Sequence, residues 1–388
     1  MAQNQDSQAL LFRARLLLEE GQSDRALAVL ETFNAEGQTQ QLDEAQQAEF
    51  DYLLGWSYTE RRRWADALRI LAPLPGKVEG EGTEESRINR ERLALCLLRL
   101  GHIAVNTARY EDAARHYSKC LKVLQDKRLN LPMAKIVARY GLAMTHSMRG
   151  LFPAAIQHYE EAIRLCLYID DDDELGNIYY GLSDTYRRSG DLINAQLAGQ
   201  KALELYVRSG NRHMEGVTHN ILGRISYSLG DYRQASDHYT EAITVATNHS
   251  GPKMFMVNCT ALADLRLAEN RLEEAKRYCR HALDTIGRLE EPAEPLTGLT
   301  YLISGKVAQA EAQRASIDEE RREFLRCAIK WFEKAKDDLS PTQAYSDVAE
   351  LYGRWAQVLE DLGLYEEAIL CWKSGYEALS STSGPTWY

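Results

Sequence analysis

Five stretches decide how this chain is read: GLFPAAIQHYEEAI (150–163), GDLINAQLAGQKAL (190–203), GDYRQASDHYTEAI (230–243), NRLEEAKRYCRHAL (270–283) and GLYEEAILCWKSGY (363–376). Each opens on a turn residue, places an aromatic or apolar residue two positions on and an alanine three further, and usually adds an apolar residue four after that. Followed outward, the alanine recurs as Ala26, Ala67, Ala113, Ala155, Ala195, Ala235, Ala275, Ala328 and Ala368, with separations of 41, 46, 42, 40, 40, 40, 53 and 40 residues. A period near 40 is far too long for a coiled-coil heptad and marks a repeat architecture.

A second signature lies upstream of each turn. Leu54-Gly55, Leu100-Gly101, Leu142-Ala143, Leu182-Ser183, Leu222-Gly223 and Leu262-Ala263 pair an apolar with a small residue, as helices in close approach require. Gly150, Gly190, Gly230, Asn270 and Gly363 then precede the alanine, each able to take positive φ at low cost and end one helix. Each unit therefore reads as helix, turn, helix. A lone helical pair cannot bury both of its apolar faces, so neighbours must stack into a continuous core.

The leucine-small pair, the glycine before Tyr, Phe or Leu, the alanine, then Tyr117, Tyr159, Tyr239 or Trp372, and then Ala162, Ala202, Ala242 or Ala282 together resemble the tetratricopeptide repeat (TPR). The resemblance covers about residues 7–380 and is best over 136–290, while unit eight departs from it. It implies an all-α fold, an α-solenoid of about nine helix-turn-helix units in a right-handed superhelix. Units of about 40 residues in place of the usual 34 imply longer helices. Such units are similar to those of kinesin light chains, of bacterial transcriptional regulators of the LuxR type, and of Gram-positive quorum-sensing peptide receptors.

The expected organisation is a single superhelical domain over 1–388: degenerate amino-terminal units (7–75), a loop (76–88), regular units (89–290), an extended unit (291–340), a last unit (341–380) and a tail (381–388). EGQTQQLDEAQQAEF (36–50) reads as a loop running into a helix. AQAEAQRASIDEERREF (308–324) is rich in helix formers and predicts lengthened helices.

Composition narrows the function classes. With 57 acidic against 46 basic residues and a net charge of −11, the chain repels nucleic acid, and no direct nucleic-acid partner is expected. No apolar run approaches the roughly 20 residues a membrane span needs, and the start lacks a secretory pattern, so the expectation is a cytoplasmic protein without a membrane partner. The Asn248 and Asn258 sequons then read as coincidence. Seven dispersed cysteines without a CxxC pair read as reduced core thiols, Cys120 and Cys279 standing at repeat core positions.

Catalytic signatures are poor: no HExxH, no GxSxG and no phosphate loop, with Gly76-Lys77 and Gly305-Lys306 lacking the upstream glycine, and Gly80 and Gly82 lacking the third glycine of a dinucleotide fingerprint. No catalytic residue, metal or cofactor is expected. His116, His158 and His238 repeat one place in three units and so follow the architecture. The acidic run Asp170, Asp171, Asp172, Asp173 and Glu174 lacks the ligand pattern of a calcium loop and reads as a solvated inter-repeat turn.

Function is then expected on the first helices, which by the resemblance line a concave groove. The positions predicted to face it are Tyr140, Met144, Asn177, Tyr180, Asp184, Arg187, Arg188, Asn220, Arg224, Tyr227 and Asp264, with Thr260 beside them. Asn177 and Asn220 offer a donor and an acceptor at one tip, suited to peptide backbone amides. Arg187, Arg188 and Arg224 suit a carboxylate, and the tyrosines suit anchoring. The plainer alternative is that Arg187 pairs with Asp184, and Arg224 with Asp264. His102, Asn106, Glu60 and Trp56 extend the face toward the amino terminus; Gln357, Glu360 and Asp361 make its far end acidic.

The leading reading is a non-enzymatic sensor or adaptor that holds a peptide or partner segment and signals by a change of superhelical pitch. One alternative is a response-regulator phosphatase or inhibitor of the quorum-sensing TPR type, for which Gln46 or Gln47 would have to serve. Another is a self-assembling module, a homodimer through the C-terminal unit built on Trp355, Trp372 and Trp387.

Overall fold

The computed structural model describes residues 2–77, 84–247, 251–289, 296–340 and 345–382. Among them the fold is all-α, with eighteen α-helices, two short 3-10 turns and no strand. Backbone packing groups the chain into two units, Met1–Asp191 and Leu192–Tyr388. Unit 1 holds α1 (Ala2–Glu19), α2 (Ser23–Ala35), α3 (Glu44–Glu60), α4 (Trp64–Leu71), α5 (Glu84–Asn106), α6 (Tyr110–Val123), α7 (Pro132–Met148), α8 (Phe152–Cys166) and α9 (Asp172–Ser189). Unit 2 holds α10 (Leu192–Ser209), α11 (Arg212–Ser228), α12 (Tyr232–Val245), α13 (Gly251–Ala268), α14 (Leu272–Ile286), α15 (Leu296–Arg314), α16 (Asp318–Leu339), α17 (Tyr345–Asp361) and α18 (Tyr365–Thr382). Odd-numbered helices are the first members of the pairs and even-numbered helices the second.

The repeat signature maps onto contacts. All nine recurrent alanines are buried, at 0% or 1% exposure. The expected turn residues Gly150, Gly190, Gly230, Asn270 and Gly363 all have positive φ, from 62° to 86°. Arg62 and Ala108 take the same left-handed conformation, both at φ 55°, in the turns of the second and third pairs, where no glycine announced it.

The small residues make room for rings. Tyr117 of α6 lies between Gly101 of α5 and Gly141 of α7, so one aromatic fastens its own pair to the next. Tyr159 of α8 presses on Gly181 of α9, Tyr239 of α12 on Gly223 of α11, and Phe332 of α16 on Gly305 of α15. A side chain at any of these glycines would occupy the space the ring fills.

Successive first helices are also joined by polar bonds one repeat apart. Thr185 of α9 donates to Ser147 of α7 at 2.9 Å, Asn220 of α11 to Asn258 of α13 at 2.8 Å, and Thr260 of α13 shares a proton with Thr300 of α15 at 2.9 Å. In unit 1, Glu49 of α3 bridges Arg15 of α1 and Arg92 of α5, with Arg92 Nε at 3.1 Å and its side chain only 9% exposed.

Several sequence expectations shift. Residues 84–88 are not loop: α5 begins at Glu84, because EESRINRERLALC continues an unbroken helix-forming run, while 78–83 lie outside the described residues. The helix expected through 308–324 breaks at 315–317, although α16 is lengthened to 22 residues as anticipated. Of the acidic run, Asp171 caps α9 by accepting from Glu174 N at 2.9 Å, and Asp172, Asp173 and Glu174 form its first turn, where the helix dipole favours negative charge. Gln46 is taken up by a capping box with Asp43, and Gln47 donates to Asp51 at 2.7 Å. Gly80, Gly82, Asn248 and tail residues 383–388, Trp387 included, lie outside the described residues.

Cys120 and Cys279 are buried as expected, and burial pushes both thiols up to about 12. Cys327 is exposed and Cys371 half-buried, which the even reading of seven core thiols missed.

Candidate functional site

In unit 1 the first helices α3, α5 and α7, with the segment 130–132 leading into α7, enclose a cavity of about 560 Å³. Its walls are Leu95 and Leu98 of α5, Leu131, Pro132, Met133 and Ala134 at the start of α7, and Val137, Gly141 and Met144 along α7. Tyr52, Tyr117 and Tyr140 add ring surface, and Arg99, His102 and Asn130 are the remaining polar lining. Spacing explains the apolar wall: Pro132–Met133, Val137, Gly141 and Met144 recur at helical intervals and so share one face of α7. Gly141 deepens it, since any side chain there would press on Tyr117.

The polar groups are arranged so that the cavity carries little net charge. Arg99 donates to Glu60 Oε1 at 2.7 Å and stacks 4.4 Å from the ring centroid of Trp56, whose Nε1 donates to the same oxygen at 2.9 Å. Burial raises the Tyr52 hydroxyl, with the Arg99 guanidinium opposing it, and burial, reinforced by Glu174 and Tyr180, carries Tyr140 to about 12. Burial, reinforced by Arg99, lowers His102, so that imidazole is neutral near pH 7; its ring sits edge-on to Trp64 at 5.9 Å. The result is an apolar recess with neutral hydrogen-bonding tips and one compensated cation.

Of the predicted groove residues in unit 1, the structure brings Tyr140 and Met144 into this cavity. His102 joins them, and Trp56 and Glu60 hold Arg99, whose role sequence reading missed because nothing in its repeat position distinguishes it. Asn106 instead turns back to the His102 carbonyl at 2.9 Å. Asn177 donates to Glu174 at 3.3 Å on its own helix, and Tyr180 is half-buried. Arg187 gives both Nε and Nη2 to Asp184 Oδ1, at 3.0 and 2.7 Å, so the plainer pairing holds there. Arg188 reaches the Met148 sulfur at 2.9 Å.

Unit 2 has a smaller, polar recess of about 270 Å³ on α11, α13, α15 and α17, lined by Tyr227, Asp264, Asn270, Lys306, Gln309, Gln313 and Arg354 among others. The predicted residues Tyr227 and Asp264 are therefore together. Arg224 does not pair with Asp264; Lys306 takes that place, at 2.5 Å from Asp264 and 3.0 Å from Glu350. Arg224 is exposed and forms no ion pair among the described residues; its charge opposes the rise that burial imposes on Asp347. Asn220 spends its amide nitrogen on Asn258, and Thr260 is buried against Thr300. Glu360 and Asp361 leave the face: Glu360 accepts from Trp372 at 2.9 Å, and Asp361 lies 3.8 Å from Arg321.

His158 and His238 are drawn into ring pairs, with His146 at 5.5 Å and His219 at 5.3 Å. No group of three or more candidate metal ligands occurs among the described residues. Among those residues, too, no helix is long and apolar enough to cross a membrane.

Comparison with known proteins places this geometry. Residues 135–206 and 174–248 match the tetratricopeptide repeat family. Kinesin light chain-related protein 3 of Arabidopsis thaliana is 20% identical over 292 residues, which cover 72% of this chain and 43% of that protein; the chain thus spans less than half the length of this curated relative. Among solved structures, the apo form of RapI is similar with a TM-score of 0.70 at 12% identity, covering 98% of this chain and 99% of that one. The apo quorum sensor NprR from B. thuringiensis gives 0.68 at 15% identity, covering 97% and 99%. NprR in complex with its cognate peptide NprX gives 0.55 at 14% identity, again covering 97% and 99%. Residues 135–248 are therefore tetratricopeptide repeats, set in a helical-pair array whose fold is that of the Rap and NprR sensors.

Proposed function

We propose that this protein is a binding scaffold, a sensor or adaptor that takes a peptide or an extended segment of a partner protein on the face formed by its first helices. The observation that carries the reading is the unit 1 cavity. It is large enough for one bulky apolar side chain, is walled by three successive repeats, and has tyrosine, histidine and asparagine tips at its margin for backbone amides. The peptide complex of NprR, a protein of the same fold, supports a peptide as the ligand class.

Tyr140 and Met144 supply the anchor wall in this reading. In unit 1, Asn177, Tyr180, Asp184, Arg187 and Arg188 lie on the first helix α9, and in unit 2 Asn220, Arg224, Tyr227 and Asp264 lie on the first helices α11 and α13. Arg224, which forms no ion pair among the described residues, is the residue of that set readiest to take a carboxylate. Because each repeat contacts only its neighbours, a ligand bridging α3, α5 and α7 changes rotations at two interfaces within unit 1, which is how binding becomes a change of pitch.

A displayed random-peptide library, selected on the whole protein, tests the reading. Enriched peptides are expected to share a large apolar residue and to bind Met144→Arg about 30-fold more weakly, as loss of a hot-spot contact does. Peptides that lack such a residue, or that bind wild type and variant equally, refute the cavity as the site.

A further inference from the structure

The last helix presents an apolar stripe that the repeats before it cover. Trp372 stands four residues after the recurrent alanine of its unit, the position held by Tyr117, Tyr159, Tyr239 and Phe332 in earlier units. Those four side chains are at most 3% exposed. Trp372 is expected from the repeat to be core, yet it is 43% exposed. Around it, Tyr365, Ile369, Tyr376 and Leu379 are 53% to 72% exposed.

The order of these residues is specific. Tyr365, Ile369, Trp372, Tyr376 and Leu379 are separated by 4, 3, 4 and 3 residues, the heptad spacing of a helix that pairs with another helix. Trp355, expected in the same patch, is instead half-buried in the core between α16, α17 and α18.

We propose that the stripe on α18 is a homodimer interface, in which two copies of this chain pair α18 with α18 in antiparallel fashion about a two-fold axis. With the axis passing between Ile369 and Trp372, Ile369 of one copy meets Trp372 of the other and Tyr365 meets Tyr376. A two-fold axis requires such self-complementarity.

Charge selects this arrangement and this occupant. Glu366 and Lys373 flank the stripe on one side, each one residue after a seam position. In the antiparallel pair, Glu366 of each copy faces Lys373 of the other, giving two opposite-charge contacts. Lys373 is 72% exposed, and its one ion pair among the described residues is with Glu377 of its own helix, at 4.0 Å. The stripe offers on the order of 600 Å² of apolar surface per copy, near the lower end of what a stable dimer buries from each partner.

Sedimentation equilibrium of the whole protein, from about 1 to 200 µM, tests the proposal across the range in which interfaces of this size associate. Wild type is expected to dimerise and Trp372→Glu to remain monomeric with unchanged helical circular dichroism. Lys373→Glu, which sets like charges opposite each other twice, is expected to weaken self-association about five- to tenfold. The Glu366→Lys/Lys373→Glu double variant is expected to return it to within about threefold of wild type, since exchanging both signs restores both pairs. A wild type that stays monomeric overturns the proposal, whether the stripe is then covered by a partner of another kind or by the chain's own tail. A dimer that survives Trp372→Glu, or a double variant as weak as the single, overturns it equally.

Discussion

Replacing Gly101 by alanine should destabilise the protein, although alanine is the better helix former by about 1 kcal/mol in a helix interior. A Cβ on Gly101 would stand 2.6 Å from Tyr117 Cε1, 2.7 Å from Cζ and 2.9 Å from Cδ1, where about 3.4 Å begins ordinary contact. Gly141 of the next pair also closes on the ring, so Tyr117 can yield only toward the cavity and at the expense of its packing on α7. Overpacking of this kind costs about 1 to 3 kcal/mol, so the net effect is a loss of about 1 kcal/mol, or about 3 °C in midpoint for a unit of this size. Gly353 supplies the control. It too lies inside a helix, but its Cβ would meet Trp372 Cζ3 at 3.6 Å, an ordinary contact, and Gly353→Ala should raise the midpoint. Thermal unfolding followed by circular dichroism reads both signs. If Gly101→Ala stabilises as Gly353→Ala does, the ring is not clamped and the account of small residues as ring seats fails. Tyr117→Leu, which withdraws the atoms in conflict, should remove most of the Gly101→Ala penalty in the double variant.

Three further perturbations follow from the same geometry. Ala108 holds φ 55° in a turn where the three following repeats use glycine, so Ala108→Gly should stabilise by about 0.5 to 1 kcal/mol, read as a higher urea midpoint; no gain would refute the left-handed assignment. Glu49→Ala leaves Arg92 buried without its partner and should cost about 3 kcal/mol, whereas Glu60→Ala at the more exposed Arg99 should cost under about 1, so equal losses would refute the burial argument. His102, His116, His146, His158, His219 and His238 all have pKa values lowered by burial. The unfolded chain then binds more protons, so stability should fall as pH drops below about 6.5, opposed only by Glu174 and Asp347, whose raised values work the other way. Urea midpoints at pH 7.5 and 5.5 check the sign, and a higher midpoint at pH 5.5 would contradict it.

The fold was legible because its signals are local and repeated nine times over. A turn residue, an alanine and an aromatic at fixed offsets state where a helix ends, where two helices cross and which ring fills the gap, and Gly190, Ala235 and Tyr239 do what their positions imply. Where the pattern lacked a cue, reading fell short. Arg62 and Ala108 turn the chain with residues that say nothing of positive φ, and α5 runs through what composition marked as loop. Side-chain partners were less legible still, since the choice of Lys306 over Arg224 for Asp264 depends on how far one first helix is rotated against the next. Periodicity fixes which residues share a face but not that rotation.

That distinction also ranks the two recesses. In unit 2, Asp264, Lys306 and Glu350 already satisfy one another, so a ligand must displace bonds about as good as those it makes, and the net gain per contact is small. In unit 1, most of the wall facing the cavity is carbon, the imidazole of His102 is neutral, and Arg99 is balanced by Glu60 outside the recess. An aromatic or large aliphatic side chain entering there removes about 150 Å² of its own surface from water, worth about 4 kcal/mol, without breaking an ion pair. That single anchor falls short of tight binding, since about 8 kcal/mol corresponds to micromolar affinity. The remainder has to come from further contacts of the ligand backbone with the polar groups at the cavity, Asn130 and His102 among them. A ligand with one apolar anchor and a free carboxylate or amide-rich backbone uses both kinds of surface, and a short peptide has that chemistry.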